Sequence, residues 1–209
     1  MDRRNALKNL SLSLGYTVAV PTIFNMLSSC TAEAEGWKPL FLSSEEKHMV
    51  THLADIILPK TDTPGALDVN VPQFIDVMYH DIELPQRQER FKKGAALFAK
   101  AFRSQFSTKA SKGNKAQFET QLASYFNLSA EATAAVLQQH YNTEDEIAPA
   151  ETDDYLLYNF LLSIKEYTMF GYLTSEKVGE EVLNYDPIPG ELIGCISVED
   201  LPNGRAWSL

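Results

Sequence analysis

The sequence predicts an all-α fold: a compact multi-helix bundle with a central apolar helix, long proline- and glycine-bearing loops and an extended C-terminal tail. Three observations predict it. Apolar residues recur at helical spacing through most of residues 43–184. One stretch, DDYLLYNFLLSIKEYTMFGYLTS (153–175), is apolar nearly all round, as suits a helix enclosed by its neighbours. The last stretch, DPIPGELIGCISVEDLPNGRAWSL (186–209), has three prolines, three glycines and no helical period, so it is expected to run extended over the surface. Strand content is expected to be close to nil. With 209 residues, 44% hydrophobic and 22% charged, the composition is ordinary for one globular domain. The formal charge of −10 offers no general attraction to nucleic acid, and no nucleic-acid partner is expected.

The N-terminus reads as a different material. MDRRNALK places Arg3 and Arg4 ahead of a mildly apolar run that stops at LSSC, the pattern of an export signal. Paired arginines beside a weakly hydrophobic core resemble the twin-arginine type, although Ala6 stands where an aromatic residue is usual. LSSC resembles a lipobox, which makes Cys30 the expected first mature residue and the acylated one. The other reading is an amphipathic helix retained in the mature chain. Residues 1–29 are thus expected to be a twin-arginine-type lipoprotein signal peptide, 30–42 a tether and 43–209 a single helical domain. The signal takes away three basic residues and one acidic one, so the mature charge falls from −10 to −12. With Cys30 carrying lipid, Cys195 has no partner for a disulfide and is expected as a small buried apolar residue.

Each element then follows in order. SSEEKHMVTHLADIILP opens with Ser43 three residues before Glu46, a capping-box spacing, and aligns Met49, Val50, Leu53, Ile56 and Ile57 on one face until Pro59 ends it. TDTPGALDVNVP (61–72) is a long shaped loop. Pro72 suits a helix's first turn and leads QFIDVMYHDI, in which Ile75, Met78 and Ile82 are expected in line. PQRQERFKKGAALFAKAFRSQF carries Phe91, Ala95, Phe98, Phe102 and Phe106 at spacings of four, three, four and four, a stripe of period 3.6. SKGN breaks it. KAQFETQLASYF and SAEATAAVLQQHY read as two further helices, the second capped by Ser129. NTEDEIAPAETDD lacks the spacing of a calcium loop and is expected to be a solvated connection. In the central apolar helix Asn159, Ser163 and Glu166 make a thin polar stripe, and SEKVGEEVLNY adds a short helix.

The chain shows no catalytic constellation. It has no glycine-rich dinucleotide or phosphate motif, no Gly-x-Ser-x-Gly elbow and no Cys-x-x-Cys, so neither catalytic nor cofactor-binding residues are assigned. His48, His52 and Asp55 at i, i+4 and i+7 share a helix face and are weak metal candidates, against the simpler reading of a solvated face. His80 and His140 stand alone and are expected to be structural. Nine of the mature chain's fifteen basic residues lie between Arg87 and Lys115, with Glu89 their only acidic neighbour there. They either solubilise the polar side of the phenylalanine-striped helix or steer an acidic partner.

Two segments carry a resemblance: ILPKTDTPGALDVNVPQFID (57–76) and GYLTSEKVGEEVLNYDPIPGELIGC (171–195). In kind and in order they are similar to the gluconate 2-dehydrogenase subunit 3 family, over about residues 40–195. The resemblance implies an all-helical small subunit without a cofactor of its own. Its implied partner is a large flavoprotein of the glucose-methanol-choline type holding FAD, with a cytochrome c subunit carrying haem c as a possible third member. It also implies export to the periplasm or cell envelope, and the acylation of Cys30 expected from LSSC, a variation on the family pattern, is the expected membrane tether. On this reading Asp62, Thr63, Pro64 and Gly65, with Tyr185, Asp186, Pro187, Ile188, Pro189 and Gly190, form the surface that meets the large subunit. Prolines and local Asp62 and Thr63 bonds preorganise the loop and lower its entropy cost on docking; the other reading is a loop packed only on its own bundle. The other reading, from a different class, is a free-standing envelope lipoprotein that binds a small molecule or protein.

Overall fold

The computed structural model describes residues 37–186, 188, 190, 195–201 and 204–208. Arg3, Arg4, Cys30, Pro187 and Pro189 lie outside the described residues. The chain divides into two units, Met1–Lys38 and Pro39–Leu209. The second unit is all helical apart from one isolated parallel bridge, Asn184 to Trp207, among the described residues.

Helix α1, Ser44–Ile57, begins where the spacing predicts. Ser43 Oγ accepts from the Glu46 amide and Glu46 returns a 2.7 Å bond to the Ser43 amide, so two orphan donors are satisfied together. Its buried face is Met49, Val50, Leu53 and Ala54. After the loop and a short 3-10 turn, Ala66–Val69, the chain passes through Asn70 at φ 57° and enters α2, Val71–Val77. Asparagine tolerates this left-handed backbone better than other non-glycine residues.

The expected helix does not continue as written. Met78–Ile82 form a π-turn, closed by the Glu83 amide on the Met78 carbonyl at 3.0 Å. The wider turn rotates the next side chains out of the period set by Ile75. Tyr79, four residues on from Ile75, stays in the core at 1% exposure, while Ile82 is left 65% exposed, contrary to the expected alignment.

Helix α3, Pro85–Phe106, keeps its predicted stripe, with Phe91, Ala95, Phe98 and Phe102 buried and Phe106 half-buried. A Cβ at Gly94 would meet the Leu156 carbonyl at 2.3 Å, so only glycine lets α3 lie this close to the central helix. Helix α4, Lys115–Phe126, starts with an Asn114/Gln117 capping box, and α5, Ala130–His140, with Ser129 as cap. Helix α6, Thr152–Leu173, is the enclosed one, burying residues on every side including Tyr155, Phe160, Leu161 and Ile164. Helix α7, Glu176–Glu181, closes the bundle. Phe160 of α6 meets Phe91 at 4.9 Å and Phe98 at 5.7 Å between ring centroids, and Phe102 meets Phe118 of α4 at 4.7 Å. Each such buried ring stabilises the bundle by about 2 kcal/mol.

Other expectations are corrected by packing. The acidic connection is not simply solvated: Ile147 is buried against Tyr155, Leu156 and Leu97, and Glu144 pairs with Lys93 at 3.1 Å. The polar stripe of α6 has internal partners. Asn159 donates to His140 Nδ1 at 3.2 Å and to the His140 carbonyl, and His140 Nε2 lies 3.2 Å from a Glu166 carboxylate oxygen. Cys195 is exposed, because it lies in the C-terminal segment at φ 57° and not among the helices.

Candidate functional site

The metal candidates are occupied in packing. His48 Nε2 donates to the Gly113 carbonyl at 2.8 Å, which puts the ring proton on that nitrogen. The His52 ring stacks on Phe118 with centroids 5.0 Å apart, and its pKa is lowered by burial first and by neighbouring His48 second. Asp55 pairs with Lys115 at 2.6 Å. The face expected to be solvated is therefore an interface with α4 and the turn before it. No group of three metal-ligating side chains converges among the described residues.

The loop after α1 is stitched to itself and to the helix end. The Ala66 amide donates to the Leu58 carbonyl at 2.8 Å, and the Thr61 amide to the Thr63 carbonyl at 3.1 Å. Asp68, which the sequence reading passed over, accepts from the Gly65 amide at 2.9 Å and from Lys60 at 3.0 Å. The Gly65 amide, then Lys60, holds its carboxyl below the ordinary carboxylate range. Asp68 thus caps the Gly65 amide, and Thr63 bonds locally to Thr61. Gly65 is buried, and a Cβ there would meet the Lys60 amide nitrogen at 2.6 Å. Asp62 and Thr63 are exposed and Pro64 is half-buried.

The second segment is open. Tyr185 is 55% and Ile188 83% exposed, and Asp186 and Gly190 face solvent as well. Asp186 Oδ1 accepts from the Ile188 amide at 3.0 Å, a small turn of its own. Asn184 anchors the segment's start. Its amide donates to the Ala206 carbonyl and its carbonyl accepts from Ser208, both at 2.8 Å, while its side chain donates to the Arg205 carbonyl. Among the described residues no hydrogen bond or ion pair joins Asp62–Gly65 to residues 185–190.

Two buried clusters escaped the sequence reading. Asp76, 1% exposed, accepts from the amides of Leu40, Phe41 and Leu42 at 2.7, 3.0 and 2.8 Å and so pins the chain entering α1 to α2. Glu83 receives Tyr167 Oη at 2.5 Å and Arg87 Nε at 3.0 Å, while Gln88 donates to the Tyr79 carbonyl that the π-turn leaves over. Burial, then the bond to Glu83, raises the Tyr167 pKa, and burial pushes Tyr79 up to about 12. No local sequence signal marks either cluster, because each joins residues far apart in the chain. An apolar groove of about 390 Å³ also opens between α1, α4 and α6, walled by Leu53, Ile56, Leu122, Phe126, Leu161 and Ile164.

No curated protein and no solved structure matches the chain. The family model for gluconate 2-dehydrogenase subunit 3 matches residues 44–190, which span the helices α1 to α7 of the described residues and both loop stretches, 62–65 and 185–190. On that match, covering well over half its length, the chain belongs to the gluconate 2-dehydrogenase subunit 3 family.

Proposed function

We propose that this chain is the non-catalytic small subunit of a membrane-associated, flavin-dependent gluconate or sugar dehydrogenase. It assists folding, stability or export of a glucose-methanol-choline-type large subunit, which holds FAD and carries out the oxidation. A cytochrome c subunit with haem c then receives the electrons. Arg3 and Arg4 direct export to the periplasm or cell envelope, and acylated Cys30 holds the complex at the membrane. Asp62 to Gly65 and Tyr185 to Gly190 meet the large subunit.

The observation that carries this reading is the family match across 44–190, taken together with how the helical body uses its polar residues. His48, Asp55, His140 and Glu166 are each engaged in contacts that tie one helix to another element of the bundle. Such groups serve shape rather than turnover. The test is to express the large subunit with and without this chain. Soluble, flavin-loaded large subunit is expected only when the chain is present; equal yields without it would refute an assembly role.

A second reading is a free-standing envelope lipoprotein that binds a small apolar molecule, and the groove between α1, α4 and α6 is the observation that favours it. A ligand retained by the chain purified alone, with no flavoprotein attached, would select that reading.

A further inference from the structure

The π-turn has an effect that the bundle's stability does not explain. A regular helix would have placed Ile82 toward the core, as its spacing from Ile75 and Met78 predicts. Instead Ile82 is 65% and Leu84 62% exposed, with Val77 42% exposed one turn earlier. Glu83 has extended backbone, φ −71° and ψ 140°, so Ile82 and Leu84 project to the same side, opposite to Glu83. Glu83 itself points inward onto Tyr167 and Arg87, and Gln88 ties both the Tyr79 and Glu83 carbonyls. Two large aliphatic side chains are thus held outward on a backbone fixed by five side-chain and backbone bonds. Rigid apolar anchors of this kind lose little entropy on binding. Local pattern and fold disagree here, as they tend to at functional sites.

The charges around these anchors restrict the partner. His80 pairs with Asp81 at 2.6 Å and Arg87 with Glu83, so among the described residues the cationic side chains next to the anchors already have carboxylate partners. Beside Leu84 lies a cleft of about 590 Å³, lined also by Arg90, Lys93, Glu144 and Asp145. Lys93 is neutralised by Glu89 and Glu144. Arg90 has no carboxylate among the described residues. Its guanidinium lies over the Tyr155 ring at 5.5 Å, Nη1 reaches the Asn142 carbonyl only at 3.5 Å, and Nε–H is buried without an acceptor. Asp145 lines the same cleft and makes no ion pair with it.

We propose that the junction of α2 and α3 is a docking face for the partner subunit, with Ile82 and Leu84 as apolar anchors and Arg90 as the receptor for a partner carboxylate. This rests on the accessory-subunit reading, and it adds a contact to those at the loops 62–65 and 185–190.

The experiment purifies the full chain through an affinity tag from cells that make the complex, and reads flavin absorbance per mole of chain. Ile82→Asp with Leu84→Asp is expected to lower flavin tenfold or more without changing the thermal unfolding midpoint, as expected at anchor positions. Ile82→Ser with Leu84→Ser serves if the first pair folds poorly. Arg90→Gln is expected to lower flavin several-fold, with partial recovery in Arg90→Lys. Folded double variants that keep their full flavin overturn the proposal. Wild-type chain eluting without flavin overturns the accessory-subunit reading, and the docking face with it. Wild-type flotation on phosphatidylcholine vesicles that the double variant loses, with flavin retained, assigns the face to lipid and also overturns the proposal.

Discussion

In the loop after α1, Gly65 is buried, Asp68 closes the backbone and the Ala66 amide returns to Leu58, whereas in the segment after α7 Tyr185 and Ile188 stand 55% and 83% exposed on one small turn. Both segments carry proline and glycine, and both lie within the matched residues 44–190. The first uses those residues to solve its own folding problem, because a side chain at 65 has nowhere to go. The second leaves large apolar side chains that no part of the bundle covers. Proline and glycine thus serve two ends in one molecule, self-packing in the first segment and the display of apolar side chains in the second.

The sharpest way to break this contrast is Gly65→Ala. Its Cβ would meet backbone, the Lys60 nitrogen at 2.6 Å, so the loop must shift. A loss of about 3 kcal/mol is expected from such overpacking, measured as a lower urea midpoint. An unchanged midpoint would mean the loop is as loose as the second segment.

Asp68→Ala is expected to cost about 1 kcal/mol, the usual value of a lost cap, since its ion pair with Lys60 is largely exposed and adds little. The Asp68 carboxyl is held below its ordinary value of 3.8, so its contribution is complete above that pH and fades as the pH falls through the lower folded value. Wild type should lose that increment of stability on acidification between neutral pH and pH below 3.8, and Asp68→Ala should lack it.

The smallest effect on stability belongs to Tyr185→Ala and Ile188→Ser. Each is expected within about 0.5 kcal/mol of wild type by thermal unfolding, as for surface positions generally. Co-purification of flavoprotein should nevertheless fall. A marked loss of stability would show that the segment packs on its own bundle.

Much of this fold was legible because helical period is a local signal. The stripe from Phe91 to Phe102, the Ser43/Glu46 box and the all-round apolar α6 each needed only neighbours in sequence, and each stands where expected. Ile82 was not legible, because the π-turn is fixed by Gln88 and, through Glu83, by Tyr167 from another helix. For the same reason the His48, His52 and Asp55 face looked solvated until Gly113, Phe118 and Lys115 were folded against it. The carboxylate that caps the Gly65 amide, Asp68, was not singled out in the sequence. Asp62 and Asp68 have equal chemistry, and only the path of the 3-10 turn decides which one reaches the Gly65 amide.

The account's central claim is that this chain supplies a helical surface to a dehydrogenase whose redox chemistry resides in another chain. Gluconate-dependent dye reduction, measured on the intact complex and on this chain purified alone, tests it most directly. The account predicts turnover and flavin absorbance in the complex and neither in the isolated chain; turnover or bound flavin in the isolated chain would contradict it.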